Sequence, residues 1–164
     1  MPQLILPTTM VRDSYVAGET EAATEEGLPT DRLQEAAADF VGFVERRRTV
    51  RELWVVPVTE RWFVDGSVYL GTVIIRHHLT PALERAGGHI GYHVVPGHRR
   101  RGYATQMLAQ ALMVCRQLGL REVLVTSATD NLGSRRVIEA NGGVLDRVID
   151  GEAHYWLATV EQDS

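Results

Sequence analysis

The spacing of apolar residues divides the chain into a helical first third, a β-rich middle and an alternating strand–helix remainder. QLILP opens as a short strand. The following TTMVRDSYVAGETEAATEEG is acidic and only weakly periodic. Gly18 in its middle argues against one continuous helix, because glycine costs about 1 kcal/mol relative to alanine in a helix interior. PTDRLQEAAADFVGFVERRRTV is a stronger helix. Thr30 or Asp31 can cap it, and Leu33, Ala37, Phe40, Val41 and Val44 recur at helical spacing. Its basic run, Arg46 to Arg48, lies at the C-terminal end, where cations favour the helix dipole.

From residue 53 the period becomes strand-like. LWVVPVTERWFVDGSVYLGTVIIRHHL reads as two or three strands with a hairpin turn at Asp65-Gly66. HIGYHVV is a further strand after AGG. Ala104, Met107, Leu108, Ala111, Leu112, Cys115 and Leu118 then mark one face of a helix that Gly119 ends. Cys115 belongs to that face as a packing residue, since no motif surrounds it. REVLVTSA is a compact β-branched strand, and DNLGSRRVIEANGG holds a short helix begun by Ser134. VLDRVIDGEAHYWLATV closes as a hairpin about Asp150-Gly151. Antiparallel strands, then strand–helix–strand–helix, then a hairpin make an α+β (mixed α/β) domain around a central sheet.

At 164 residues the chain is expected to form one domain, 1–164, with a sizeable core. The net charge of -4 argues against a protein built to attract nucleic acid, so any basic site must be local. One cysteine excludes an intramolecular disulfide framework and a Cys-rich zinc site. His77-His78 and the pair His93 and His98 lack ligand spacing and carboxylate partners, and no metal is expected. Nothing resembles a signal peptide, and no stretch approaches the roughly 20 apolar residues of a membrane helix. The expected location is the cytoplasm, with no membrane partner.

The segment VVPGHRRRGYATQ has the ingredients of an anion cradle. The first amides of a helix lack intrahelical partners, and the dipole favours negative charge there. Gly102 and the small Ala104 let backbone approach a phosphate, while Arg99, Arg100 and Arg101 add countercharge. The Walker and dinucleotide-binding glycine patterns are both absent.

With Arg99, Gly102 and Ala104 in an R-x-x-G-x-A array after a strand and before an amphipathic helix, the sequence resembles the GNAT superfamily of acyl-CoA-dependent N-acyltransferases. GLREVLVTSATDN and NLGSRRVIEANGG stand where that family has its fifth strand and last motif, so the resemblance covers residues 88 to 145. It implies a mostly antiparallel twisted sheet, flanked by helices, whose fourth and fifth strands splay apart around acetyl-CoA. Val94 and Val95 would offer strand backbone to the pantetheine arm. The amides of Arg100, Gly102, Tyr103, Ala104 and Thr105 would cradle the pyrophosphate. Asn131 and Ser134 match cofactor contacts, or else shape a turn and cap a helix.

The resemblance implies acetyl transfer to an amine-bearing acceptor by direct attack in a ternary complex. A base is useful because most amines are charged at neutral pH. His89 occupies the position where several members hold a glutamate, and His93 is a second candidate on the same strand face. The family's usual acid is a tyrosine immediately before the glutamate of the last motif; here that residue is Ile138, before Glu139. Tyr155 or Tyr92 could substitute. The missing tyrosine keeps open a different reading, a GNAT-like module that binds acyl-CoA without chemistry. The acceptor itself is not legible. Many relatives of the fold pair, so a homodimer stays open, and no segment marks an interface.

Overall fold

The computed structural model describes residues 1–159. Five strands form an antiparallel sheet: β1 (Gln3–Ile5), β2 (Arg51–Leu53), β3 (Val56–Asp65), β4 (Val68–Arg76) and β5 (Ile90–Val94). The order is β1-β3-β4-β5, with β2 also paired to β3. A second antiparallel sheet has β6 (Glu122–Ala128), β7 (Val144–Ile149) and β8 (Glu152–Ala158) in the order β6-β8-β7. The hairpins follow their turn chemistry. Asp150 and Gly151 both take positive φ, as a tight I′ turn requires, and Gly66 does so after Asp65.

Strand alternation builds two large cores, beside a small cluster of Val56, Val58 and Leu83. On one face Phe63, Leu70, Val73 and Ile75 of the first sheet and Val123, Val125, Tyr155 and Leu157 of the second meet Met107, Leu108, Ala111 and Cys115 of α5 (Tyr103–Gln117). The apolar stripe read from the sequence is thus the buried face of that helix. On the other face Trp62, Val64 and Tyr69 pack against helices α1 (Arg12–Glu25), α2 (Asp31–Ala38) and α3 (Phe40–Arg48) through Tyr15, Ala36, Phe40, Phe43 and Val44.

Local structure departs from the apolar pattern in three places. α1 runs unbroken through Gly18, where a Cβ would press within 3.2 Å of the Val95 side chain. The glycine permits close approach rather than a break. The helix expected over residues 29–50 is instead two. Asp39 leaves helical geometry (φ -135, ψ 66) and its carboxylate accepts the Gly42 amide at 3.2 Å, capping α3. That rotation leaves Val41 62% exposed and buries Phe43 instead. Thr30 precedes α2 without making a side-chain cap. A short helix, α4 (Pro81–Arg85), was not foreseen; Thr80 caps it through the Leu83 amide, with proline at its first turn.

The two sheets meet where β5 and β6 begin. His89 donates its backbone N–H to the Leu124 carbonyl at 2.8 Å, and its Nδ1 accepts the Leu124 N–H at 2.9 Å. β5 and β6 then part without forming a ladder. These are the strands that the resemblance numbers fourth and fifth, and their parting agrees with the expected fold.

Gly88, at φ +61, sits against this joint, and a Cβ there would run into the Leu124 carbonyl. Gly88→Ala is expected to cost about 2 kcal/mol or more, combining left-handed strain with overpacking. Gly27→Ala, at φ +70 with nothing nearby, should cost only the strain of about 1 kcal/mol. Urea unfolding midpoints compare the two.

Candidate active site

Free backbone gathers where β5 and β6 part. The Val95 amide donates to the Leu70 carbonyl at 2.9 Å, and the His89 carbonyl accepts from Arg76 at 2.6 Å. Odd-numbered residues of β5 therefore bond to β4, and the ladder's alternation turns the backbone of Ile90, Tyr92 and Val94 toward the open side. The cleft there has a volume of about 640 Å³. Tyr92, His93 and Val94 line it from β5, Thr126 lines it from β6, and Asn131 and Ser134 line it from the start of α6 (Leu132–Ala140).

At the wide end α5 begins. Gly102 is its N-cap in the left-handed region (φ +77), and no side chain caps the helix. The first bond back is Gln106 N–H to the Gly102 carbonyl at 3.4 Å. The amides of Tyr103, Ala104 and Thr105 thus lack intrahelical acceptors, and the dipole of a 15-residue helix points its positive end into the cleft.

Of the expected cofactor contacts, Val94, Arg99, Arg100, Gly102, Tyr103, Ala104, Thr105, Asn131 and Ser134 line this cleft. Val95 and Arg101 do not. The Val95 amide is committed to β4 and its side chain is buried beneath α1, so the alternation that frees Val94 removes Val95. Arg101 is exposed outside the lining. Arg99 reaches the cleft but is tied: Nε donates to the Val94 carbonyl at 3.2 Å and Nη1 pairs with Glu25 at 2.5 Å. Asn131, not Ser134, caps α6, accepting the Ser134 amide at 3.1 Å. The Ser134 hydroxyl is left to meet the Tyr92 hydroxyl across the cleft at 3.3 Å.

A parted strand pair facing an uncapped helix N-terminus accords with the family comparison, in which the acetyltransferase (GNAT) domain matches residues 12–144. The chain belongs to the GNAT acetyltransferase family. Solved structures share the fold at low identity. RimJ of Mycobacterium smegmatis, in complex with CoA-disulfide, is 18% identical over 96% of this chain and 86% of its own, with a TM-score of 0.63. The ribosomal L7/L12 α-N-protein acetyltransferase RimL, in complex with coenzyme A, is 12% identical over 96% and 93%, with a TM-score of 0.63. The microcin C7 self-immunity acetyltransferase MccE, in complex with acetyl-CoA and AMP, is 13% identical over 96% and 92%, with a TM-score of 0.62. Comparison with curated proteins finds no match.

Within this GNAT domain neither residue first considered for proton transfer lines the cleft. His89 is 7% exposed, with Nδ1 occupied by the Leu124 amide. Burial, with the His78 imidazole and the Arg76 guanidinium nearby, lowers its pKa to about 4, so the ring is neutral at physiological pH and serves the joint. Tyr155 is 1% exposed in the core of the second sheet; its hydroxyl donates to Glu139 at 2.7 Å and accepts from Arg135 at 2.9 Å. It holds α6 to β8. Ile138, at the family's tyrosine position, is fully buried in the same core. Tyr92 does line the cleft, and burial raises its pKa despite the Ser134 contact, so it keeps its proton. Cys115 is buried, and its thiol is pushed up to about 12, which rules it out as an acyl acceptor. No group of three or more metal-ligating side chains occurs among the described residues.

The depressed His89 pKa makes a signed prediction. A group whose folded pKa lies below its unfolded value of about 6.5 gives stability present above pH 6.5 and lost as pH falls toward 4. Thermal unfolding across pH 4 to 7 should show this loss in the wild type and a shallower one in His89→Gln, which can still accept the Leu124 amide. His89→Ala leaves that amide without its acceptor and should cost about 1–3 kcal/mol at pH 7.

Proposed function

We propose that this protein transfers the acetyl group of acetyl-CoA to a primary amine by direct attack in a ternary complex, with residues 1–164 acting as one catalytic unit in the cytoplasm. The observation that carries the reading is the juxtaposition of unpaired β5 backbone with the uncapped N-terminus of α5 in one cleft. The Tyr92 backbone and the Val94 N–H, whose carbonyl Arg99 already occupies, suit the amides of a pantetheine arm, and the amides of Tyr103 to Thr105 suit a pyrophosphate. CoA or acetyl-CoA in the similar RimJ, RimL and MccE structures supports the donor. No helix among the described residues is long and apolar enough to cross a membrane.

Acetyl-CoA supplies an activated thioester; the chain's residues bind it, orient it and supply a proton. The amine attacks the carbonyl carbon, the C–S bond breaks, and the thiolate takes a proton. The Tyr92 and Ser134 hydroxyls are the donors available across the cleft, and they replace the acid missing at Ile138. With Cys115 buried and protonated, an acyl-enzyme on sulfur is not part of the route.

Thiol release from acetyl-CoA tests the reading on a panel of 2-phenylethylamine, spermidine, a lysine peptide and peptides with free serine or methionine N-termini. Amine-dependent release is expected. CoA binding without release on any amine would favour the non-catalytic module. Gly102→Val should weaken CoA binding by about 10- to 100-fold, the loss of one charge-assisted hydrogen bond or so. An added Cβ at Gly102 meets no protein atom, but φ +77 strains any L side chain, so a stability loss of about 1–2 kcal/mol is expected with the circular dichroism still that of the folded domain. Unaltered CoA affinity in this variant would remove the cradle.

A further inference from the structure

The face of β5 turned toward α1 carries a polar array that the reaction above does not use. His93 Nε2 lies 2.7 Å from Glu19 Oε1. That oxygen also accepts the Tyr69 hydroxyl at 2.5 Å, and Tyr69 in turn contacts the Thr72 hydroxyl. An ionised carboxylate only accepts, so the arrangement sets the proton on Nε2 and leaves Nδ1 as the imidazole's acceptor. Nδ1 has no protein partner among the described residues, and the side chain is 48% exposed. Glu19, by contrast, is only 15% exposed and fixed from two sides.

His93 also stands at a boundary. It lines the cleft and, with Arg99, a second groove of about 290 Å³ under α1 and the start of α2. Ala22, Ala23, Leu28 and Leu33 make that groove apolar, and Glu26 puts a carboxylate in its wall. An ammonium on a short apolar stem fits this lining, and on entering it meets His93 before the thioester.

We propose that His93 is the catalytic base that deprotonates the acceptor amine, that Glu19 is its positioning residue, and that an amine on an apolar stem enters through the α1–α2 groove. This rests on the transferase reading above. One proton passes from the ammonium to Nδ1, giving imidazolium and a free lone pair. That pair forms the N–C bond, the C–S pair leaves on sulfur, sulfur takes a proton from the Tyr92–Ser134 hydroxyls, and the nitrogen's surplus proton restores theirs. The products are a neutral amide and a thiol, and His93 returns its proton to solvent.

The groups facing the imidazole are Glu19 of α1, Glu26 at that helix's C-cap and Arg99 of the loop after β5. Burial disfavours the imidazolium, but the Glu19 hydrogen bond and charge and the Glu26 charge outweigh burial and Arg99, so the pKa lies above its ordinary value. Burial likewise opposes ionisation of Glu19, and its bonds to His93 and Tyr69 hold it below the usual carboxylate range. kcat/KM should therefore rise with pH through the raised His93 pKa.

The experiment measures thiol release with acetyl-CoA and 2-phenylethylamine from pH 5.5 to 9.5 for the wild type, His93→Gln and Glu19→Gln, with CoA binding by calorimetry on each. His93→Gln should lower kcat/KM by about 100-fold or more and abolish the acidic limb, with CoA affinity within about twofold. Glu19→Gln should move that limb to lower pH and lower the plateau. A merely structural role would not move the limb. Wild-type turnover that survives His93→Gln with an unchanged profile overturns the inference and leaves the transferase standing. So does a limb unmoved in Glu19→Gln, or wild-type release with spermidine or a peptide but none with 2-phenylethylamine. No release with any amine, while CoA still binds, overturns both.

Discussion

The architecture of the site depends on the double contact between His89 and Leu124. Two strands lying side by side with free edges would ordinarily zip into a continuous ladder, because each residue paired satisfies backbone groups that otherwise need water. Here the imidazole takes the place of one backbone acceptor. The Leu124 amide donates to Nδ1 rather than to a carbonyl, so the exchange of bonds starts on a side chain and does not propagate. The shared core beneath α5 holds the sheets together at the bottom of the V, and the joint sets where they begin to part. A histidine neutral at physiological pH is suited to this place, since a charged ring could not accept the amide.

Parting leaves the odd residues of β5 engaged with β4 and the even ones open. That alternation sorts the segment into three chemical roles. Tyr92 and Val94 turn backbone into the cleft, Val95 goes to the core beneath α1, and His93 presents its ring on the α1 face. The same sorting separates the functions proposed for the two sides of the strand, donor binding along its edge and acceptor deprotonation on its face. A one-residue slip would exchange these roles and bury His93.

Local features were legible in the sequence because their causes are local. The Asp-Gly turns, the buried stripe of α5, and Gly102 before that helix need only neighbouring residues to be understood. Cofactor-side residues from Val94 to Thr105 follow from one strand–turn–helix segment, and nine of the eleven proposed contacts line one cleft. The candidates for proton transfer were not legible in the same way. His89 acquires its role from Leu124, 35 residues away, and His93 from Glu19, 74 residues away. A strand pattern places His89 and His93 on one face but does not say which is sealed by a joint. Tyr155 has the same difficulty: alternation marks it as inward, and only the fold shows that inward here means the core of the second sheet.

The weak periodicity of α1 has its explanation in these long-range contacts. A helix held by an apolar stripe alone could rotate or slide by small amounts at little cost, whereas α1 is pinned by dissimilar contacts along its length. Ser14 accepts the Tyr69 amide at 2.9 Å, Glu19 takes both His93 and Tyr69, and Glu25 reaches Arg99 at the rim of the cleft. The anchoring energy comes from elsewhere. Tyr15 stacks on Trp62 with centroids 4.3 Å apart, and Phe40, Phe43 and Tyr69 close around the pair. An exposed ion pair such as Arg99–Glu25 contributes about 1 kcal/mol at most, far less than burying a cluster of five aromatic rings. The aromatic cluster therefore decides that α1 stays, and the polar contacts decide where. The residues of this acidic, weakly periodic segment are thus what aligns His93, the loop before α5 and the groove between them.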